Sequence, residues 1–170
     1  MLALVAALAL VLQPAEAPAV PAYGIEAPRL ERTRLPRRLP EPYDASRDAR
    51  ADILAAFERA EASGRFVLVE FGGNWCPDCR ILAGMTELPG FAEFMEASFE
   101  TVYVDVGRFD RNMELMPALG IAEPRGVPTV VIVTPQGHVL NQASSAEWVT
   151  TKGRDPQEAL DNFARFAPRR

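Results

Sequence analysis

The stretch Phe66-Val67-Leu68-Val69-Glu70-Phe71-Gly72-Gly73-Asn74-Trp75-Cys76-Pro77-Asp78-Cys79 constrains this chain more than any other. An apolar run rich in Val and Phe reads as a buried strand. Gly72-Gly73 ends it. Pro77 suits the first turn of a helix, where a missing N–H leaves no bond unmade. A strand therefore runs almost directly into a helix, with two cysteines at the junction, and the chain has no others. Two thiols separated by two residues can close into a disulfide and reopen. Cys76 falls at the helix N-terminus, beside unpaired N–H groups and the positive end of the dipole, which favour a thiolate. The thiolate is the nucleophile of thiol–disulfide exchange.

Other uses of the pair are weaker. A structural zinc site takes four ligands, and the chain offers two Cys and one His, His138, so a metal would have to be shared between two chains. A purely stabilising bridge gains little, because loop-closure stabilisation grows with loop length and this spacer is near the minimum. Copper handling by the two thiols lacks a nearby histidine. Redox chemistry is the expectation, with no metal and no cofactor beyond a Cys76–Cys79 disulfide.

The residues around the motif resemble the thioredoxin family. That family's pattern is a hydrophobic strand with a buried acid, then Trp-Cys-x-x-Cys, then Val-or-Ile-Pro-Thr before another hydrophobic strand. Here these are Glu70, Trp75-Cys76-Pro77-Asp78-Cys79 and Val127-Pro128-Thr129-Val130-Val131-Ile132-Val133. The likeness covers roughly 44–166, and the Pro-Asp spacer is similar to that of thioredoxin-related proteins with the same pair. The chain departs from the pattern in three ways. Glu70 replaces the usual Asp, Thr101 or Val102 falls where a buried Lys partner is expected, and the 107–125 segment is longer. The resemblance implies an α/β thioredoxin-like fold, a central mixed sheet flanked by helices. It also implies a cis Val127–Pro128 bond packed against the cysteines, where Pro128 alone would read as a strand edge. Trp75, Pro77, Asp78, Val127 and Pro128 are then expected to line the substrate groove, with the Val127 backbone pairing with an extended client segment. Glu70 either points to solvent or, in a strand that reads as covered on both faces, is buried with a raised pKa, and the resemblance then gives it the proton of Cys79.

Outside this core the chain divides into three parts. Residues 1–12 are an apolar run too short to span a bilayer, which takes about 20 residues. Ala15-Glu16-Ala17 fits a small-x-small cleavage site, so 1–17 reads as a signal peptide despite the absence of an early Lys or Arg. An uncleaved anchor or a buried helix are the competing uses. Residues 18–43 hold six prolines and five arginines and read as an extended Pro/Arg-rich tether, its arginines either solvated or facing an acidic partner. Residues 44–170 are the domain. A chain of 170 residues with 48% apolar residues buries an adequate core; the net charge of −5 is modest, and no basic face suited to nucleic acid appears beyond the Arg-rich stretch.

Within the domain, Asp44 or Ser46 is expected to cap a helix over 47–62, closed by Gly64. The active-site helix spans 77–84, and Leu88-Pro89-Gly90 separates it from a second helix over 91–97. A strand follows over 100–106, then a short helix near 111–119. A hairpin joins 128–134 to 138–142 through Thr134-Pro135-Gln136-Gly137. Asp155, Pro156 and Glu158 begin the last helix as N-cap, N1 and N3. Trp148 reads as packing and His138 as surface.

The expected function is an exported, monomeric thiol–disulfide oxidoreductase, periplasmic or held to the membrane by its N-terminus. Cys76 attacks a protein or peptide disulfide and Cys79 resolves the intermediate. The charge of Asp78 beside the thiols favours a reducing couple. Such a protein needs an electron donor, with a membrane protein as one candidate. The alternative is a thioredoxin-like holdase or assembly factor that grips clients without turnover.

Overall fold

The computed structural model describes residues 20–122 and 124–169; the expected signal peptide, 1–17, lies outside them. Helix α1 (Ala49–Ser63) is followed by strand β1 (Phe66–Gly72), helices α2 (Pro77–Thr86) and α3 (Phe91–Ser98), and strand β2 (Phe99–Asp105). A single turn, α4 (Leu115–Ala118), precedes strand β3 (Thr129–Val133) and helix α5 (Pro156–Ala164). β1 lies between β2, to which it is parallel, and β3, to which it is antiparallel. This is the mixed sheet flanked by helices that the sequence implied.

Every residue of β1 is buried, because both sheet faces are covered. Val67, Val69 and Phe71 pack with Ile53 and Ala56 of α1 on one side. Phe66 and Leu68 pack with Leu82, Phe91, Leu160 and Phe163 on the other. Side chains alternate along a strand, so Glu70 and Gly72 share the Leu68 side, towards α2. Trp148 lies in that core, stacked on Phe163 with ring centroids 4.6 Å apart.

Three local expectations differ. The N-cap of α1 is Asp48, whose Oδ1 accepts from the Ala51 N–H at 3.0 Å; Asp44 and Ser46 bond to each other instead. The second hairpin strand reduces to a bridge between Val133 and Val139. The Asn141 amide takes over the strand's bonding. It accepts from the Ile132 N–H at 2.8 Å and donates to the Val130 carbonyl at 2.9 Å, which satisfies the sheet edge without a further strand. The helix near 111–119 shrinks to α4 because Phe109 and Asn112 adopt positive φ and break a helical path.

The stretch read as a tether is docked where it is described. Tyr23 bridges Pro168, and the Gly24 and Ile25 N–H groups donate to the carbonyls of Ala167 and Ala164. Leu30 is buried, and Arg80 of α2 donates to the carbonyls of Leu39 and Pro40. A Cβ on Gly84 would come within 2.8 Å of Leu39 Cδ2, so the strap packs closely against this helix position. Residues 20–43 form an extended strap that crosses the end of α5, then α2, and delivers Tyr43 to the interior. Among the described residues, no helix is long and apolar enough to cross a membrane.

Candidate active site

The site is built at the C-terminal end of β1. The Cys76 N–H donates to the Gly73 carbonyl at 3.0 Å, closing the turn that starts α2. Cys76 is the N-cap of α2, and its Sγ accepts from the Cys79 N–H at 3.4 Å, a helix-terminus donor placed on sulfur. Cys79 sits in the first turn, and both cysteines are free thiols. Cys76 lies at the helix start that the sequence predicts. It holds the N-cap position but is 6% exposed, because the Val127–Pro128 loop lies over it: its Sγ–H reaches the Val127 carbonyl at 3.6 Å. The Val127–Pro128 peptide bond is cis, and both residues are buried.

Glu70 is fully buried, and the Tyr43 hydroxyl donates to its Oε1. Burial pushes the Glu70 carboxyl up to about 8, against the lowering effect of the Tyr43 hydrogen bond. Burial also pushes the Cys79 thiol up, reinforced by the Cys76 sulfur and the nearby Glu70 charge. Tyr103, opposite Glu70 across the β1–β2 ladder, is pushed up by burial and by the Glu70 charge. In place of the lysine of the family pattern, two phenols stand by the acid. Sequence reasoning missed Tyr43 and Tyr103. Tyr43 ends a Pro/Arg-rich stretch with no local signal of burial, and Tyr103 stands next to the positions 101 and 102 where the family pattern puts its lysine.

Trp75 is partly exposed, and its indole N–H donates to the Gly107 carbonyl at 2.5 Å. The Arg108 guanidinium lies 4.6 Å from its ring centroid, and the Phe109 ring stands edge-on at 5.8 Å. Phe109 is 47% exposed at a φ of 67°, a strained position for an aromatic residue. The longer 107–125 segment thus adds an aromatic ring against Trp75, the residue before Cys76, which the sequence signalled by length but not by residue. Pro77 is exposed at N1 of α2.

Asp78 does not face the groove. Its Oδ1 accepts from the N–H groups of Thr151 and Lys152, each at 2.7 Å, and so ties the 150–153 turn to α2. Its charge is engaged by that turn, which removes the simplest reason for a reducing couple. Hydrogen bonds to charged groups contribute about 1.5–3 kcal/mol each, so loss of the two in Asp78→Ala is expected to lower stability by about 3 kcal/mol or more, read as a reduced urea midpoint. A midpoint equal to wild type would place that carboxylate outside the fold's support.

A thioredoxin-like family model matches residues 48–135. The solved structure of a disulphide isomerase from Xylella fastidiosa Temecula1 superposes with a TM-score of 0.67 at 32% identity, over 75% of this chain and 96% of that one. Nucleoredoxin of Bos taurus is 28% identical over 112 residues, 54% of this chain and 26% of the relative, and nucleoredoxin of Homo sapiens matches to the same extent. The chain therefore spans about a quarter of the length of those curated relatives.

Proposed function

This chain belongs to the thioredoxin-like family, and from that premise we propose that it is an exported thiol–disulfide oxidoreductase that reduces protein disulfides through Cys76 and Cys79. The observation that carries the proposal is the placement of Cys76 as N-cap of α2, with Cys79 one turn behind it and a buried acid on the adjoining strand. The Cys76 thiolate attacks one sulfur of a client disulfide and expels the other as a thiolate, leaving a Cys76–client mixed disulfide. Cys79 gives its proton to Glu70 and attacks the Cys76 sulfur. The Cys76–Cys79 bond forms, and the client sulfur leaves with the electron pair. Two electrons pass from the dithiol to the client, and a separate donor must restore the dithiol.

In this reading Trp75 and Phe109, whose rings meet edge-on, supply an apolar wall for a client segment, and the Val127 backbone beside Cys76 pairs with its extended chain; the ring contact and the Cys76–Val127 contact support it. Insulin reduction with dithiothreitol as electron source tests the reading. Accelerated precipitation of the insulin B chain supports it. Suppressed aggregation of an unfolded client with no acceleration supports the holdase instead.

Export rests on the apolar 1–12 run and Ala15-Glu16-Ala17. Intact mass of the protein from an exporting host is expected to show an N-terminus at Pro18. A soluble cytosolic form that retains Met1 would contradict export, and Met1 in the membrane fraction would indicate an anchor.

A further inference from the structure

Glu70 draws its hydrogen bond from a segment unrelated to the cysteine motif. The Tyr43 hydroxyl donates to it, and Tyr43 ends the N-terminal strap, before the start of the family match at residue 48. The placement is firm. The Asn74 side chain accepts from the Tyr43 N–H at 3.2 Å and donates to the Tyr43 carbonyl at 2.8 Å. Asn74 sits two residues before Cys76, so one amide couples the strap backbone to the thiol turn. The Tyr43 ring meets the Tyr103 ring edge-on at 5.6 Å and is 3% exposed.

Gly72 shows how close the phenol stands to the resolving sulfur. A Cβ at Gly72 would lie 2.5 Å from Tyr43 Oη and 2.8 Å from Cys79 Sγ. Both atoms occupy the space that a side chain would fill, on the same side of β1 as Glu70. Acid, phenol and thiol therefore form one buried cluster.

We propose that Tyr43, carried into the active site by the strap, is a positioning residue that holds Glu70 for proton exchange with Cys79. The inference rests on the oxidoreductase reading above. In the resolving step the Cys79 proton passes to the Glu70 carboxylate, the sulfur attacks Cys76, and the client sulfur departs as a thiolate. Tyr43 neither gains nor loses a proton. Burial and the Glu70 charge push its own hydroxyl far up, so it remains a donor throughout. Its hydrogen bond fixes the carboxylate rotamer and favours the ionised form that accepts the proton. The titratable groups around Glu70 are Tyr43 from the strap, Cys79 and, behind it, Cys76 from α2, and Tyr103 from β2 with Glu87 beyond it. Its register partner on β3 is the apolar Val130.

The test follows the two chemical steps separately. The full reduced chain is mixed with oxidised glutathione, quenched with acid at intervals, and resolved by mass into mixed disulfide and intramolecular disulfide. In wild type, conversion of the first to the second is expected to rise with pH to a midpoint of about 8. Tyr43→Phe is expected to move that midpoint up by about one pH unit, slowing conversion about tenfold at neutral pH, with mixed-disulfide formation within about twofold of wild type. Asn74→Ala, which keeps the phenol but cuts its clamp, is expected to move it the same way by less.

The infrared band of the protonated carboxyl gives a second readout that needs no turnover, and its titration is expected to shift with the kinetic midpoint. An unchanged midpoint and an unchanged band in Tyr43→Phe would overturn the role of Tyr43 while leaving the oxidoreductase intact. A wild type that never forms the intramolecular disulfide would overturn both.

Discussion

Cys76→Ser is expected to lose insulin reduction by on the order of a thousandfold or more, because a serine hydroxyl at the α2 N-cap does not replace a thiolate as the nucleophile on sulfur. Cys79→Ser is expected to behave differently. Its Cys76 still attacks, but nothing resolves the product, so mixed disulfides accumulate after one turnover and migrate as reducible adducts on a non-reducing gel. The contrast follows from position. Cys76 touches the Val127 carbonyl at the groove, whereas Cys79 is fully buried beneath it. Undiminished reduction by Cys76→Ser would refute the assignment of Cys76 as the nucleophile.

The parts legible in sequence are those whose signal is local. The strand–turn–helix junction at 66–79 follows from an apolar run, two glycines and a proline, and β1 and α2 start where those residues place them. Asp155, with Pro156 behind it, caps α5 as its pattern implied, accepting from the N–H groups of Gln157 and Glu158. What escaped depends on partners distant in the chain. Tyr43 meets Glu70 across 27 positions, and Asp78 meets Thr151 across 73, so neither contact leaves a mark on its neighbours in sequence. Asn141 was read as part of a strand because its side chain does the bonding a strand backbone would do. Phe109 was invisible because nothing in its residue type signals a positive φ.

Stability of the reduced protein is expected to fall as pH rises between about 4.5 and about 8. A carboxyl whose folded pKa is raised binds its proton more tightly in the folded state. Below its ordinary value Glu70 is protonated both folded and unfolded, and its contribution is fully present. Between the two values only the unfolded chain releases the proton, so folding loses ground with each pH unit. Above about 8 both states are ionised and the loss is complete. A difference of roughly 3.5 pH units, from 4.5 to about 8, corresponds to at most about 5 kcal/mol. For a domain of this size that amounts to roughly 10 °C or more in Tm. Glu70→Gln keeps an acceptor for Tyr43 but does not titrate, so its stability is expected to stay nearly flat across this window. The buried Cys79 thiol adds a further loss only above about 9, the ordinary thiol value, because its pKa is raised too. Parallel slopes in wild type and Glu70→Gln would mean that Glu70 is ionised in the folded protein at all these pH values.

Equilibration of the full chain with mixtures of reduced and oxidised glutathione, read by mass after acid quenching, bears most directly on Cys76 and Cys79 as a working redox couple. The expected result is a single two-electron transition between the dithiol and an intramolecular Cys76–Cys79 disulfide. A chain that remains a dithiol throughout, or that carries only glutathione adducts and never closes the internal bond, would contradict it.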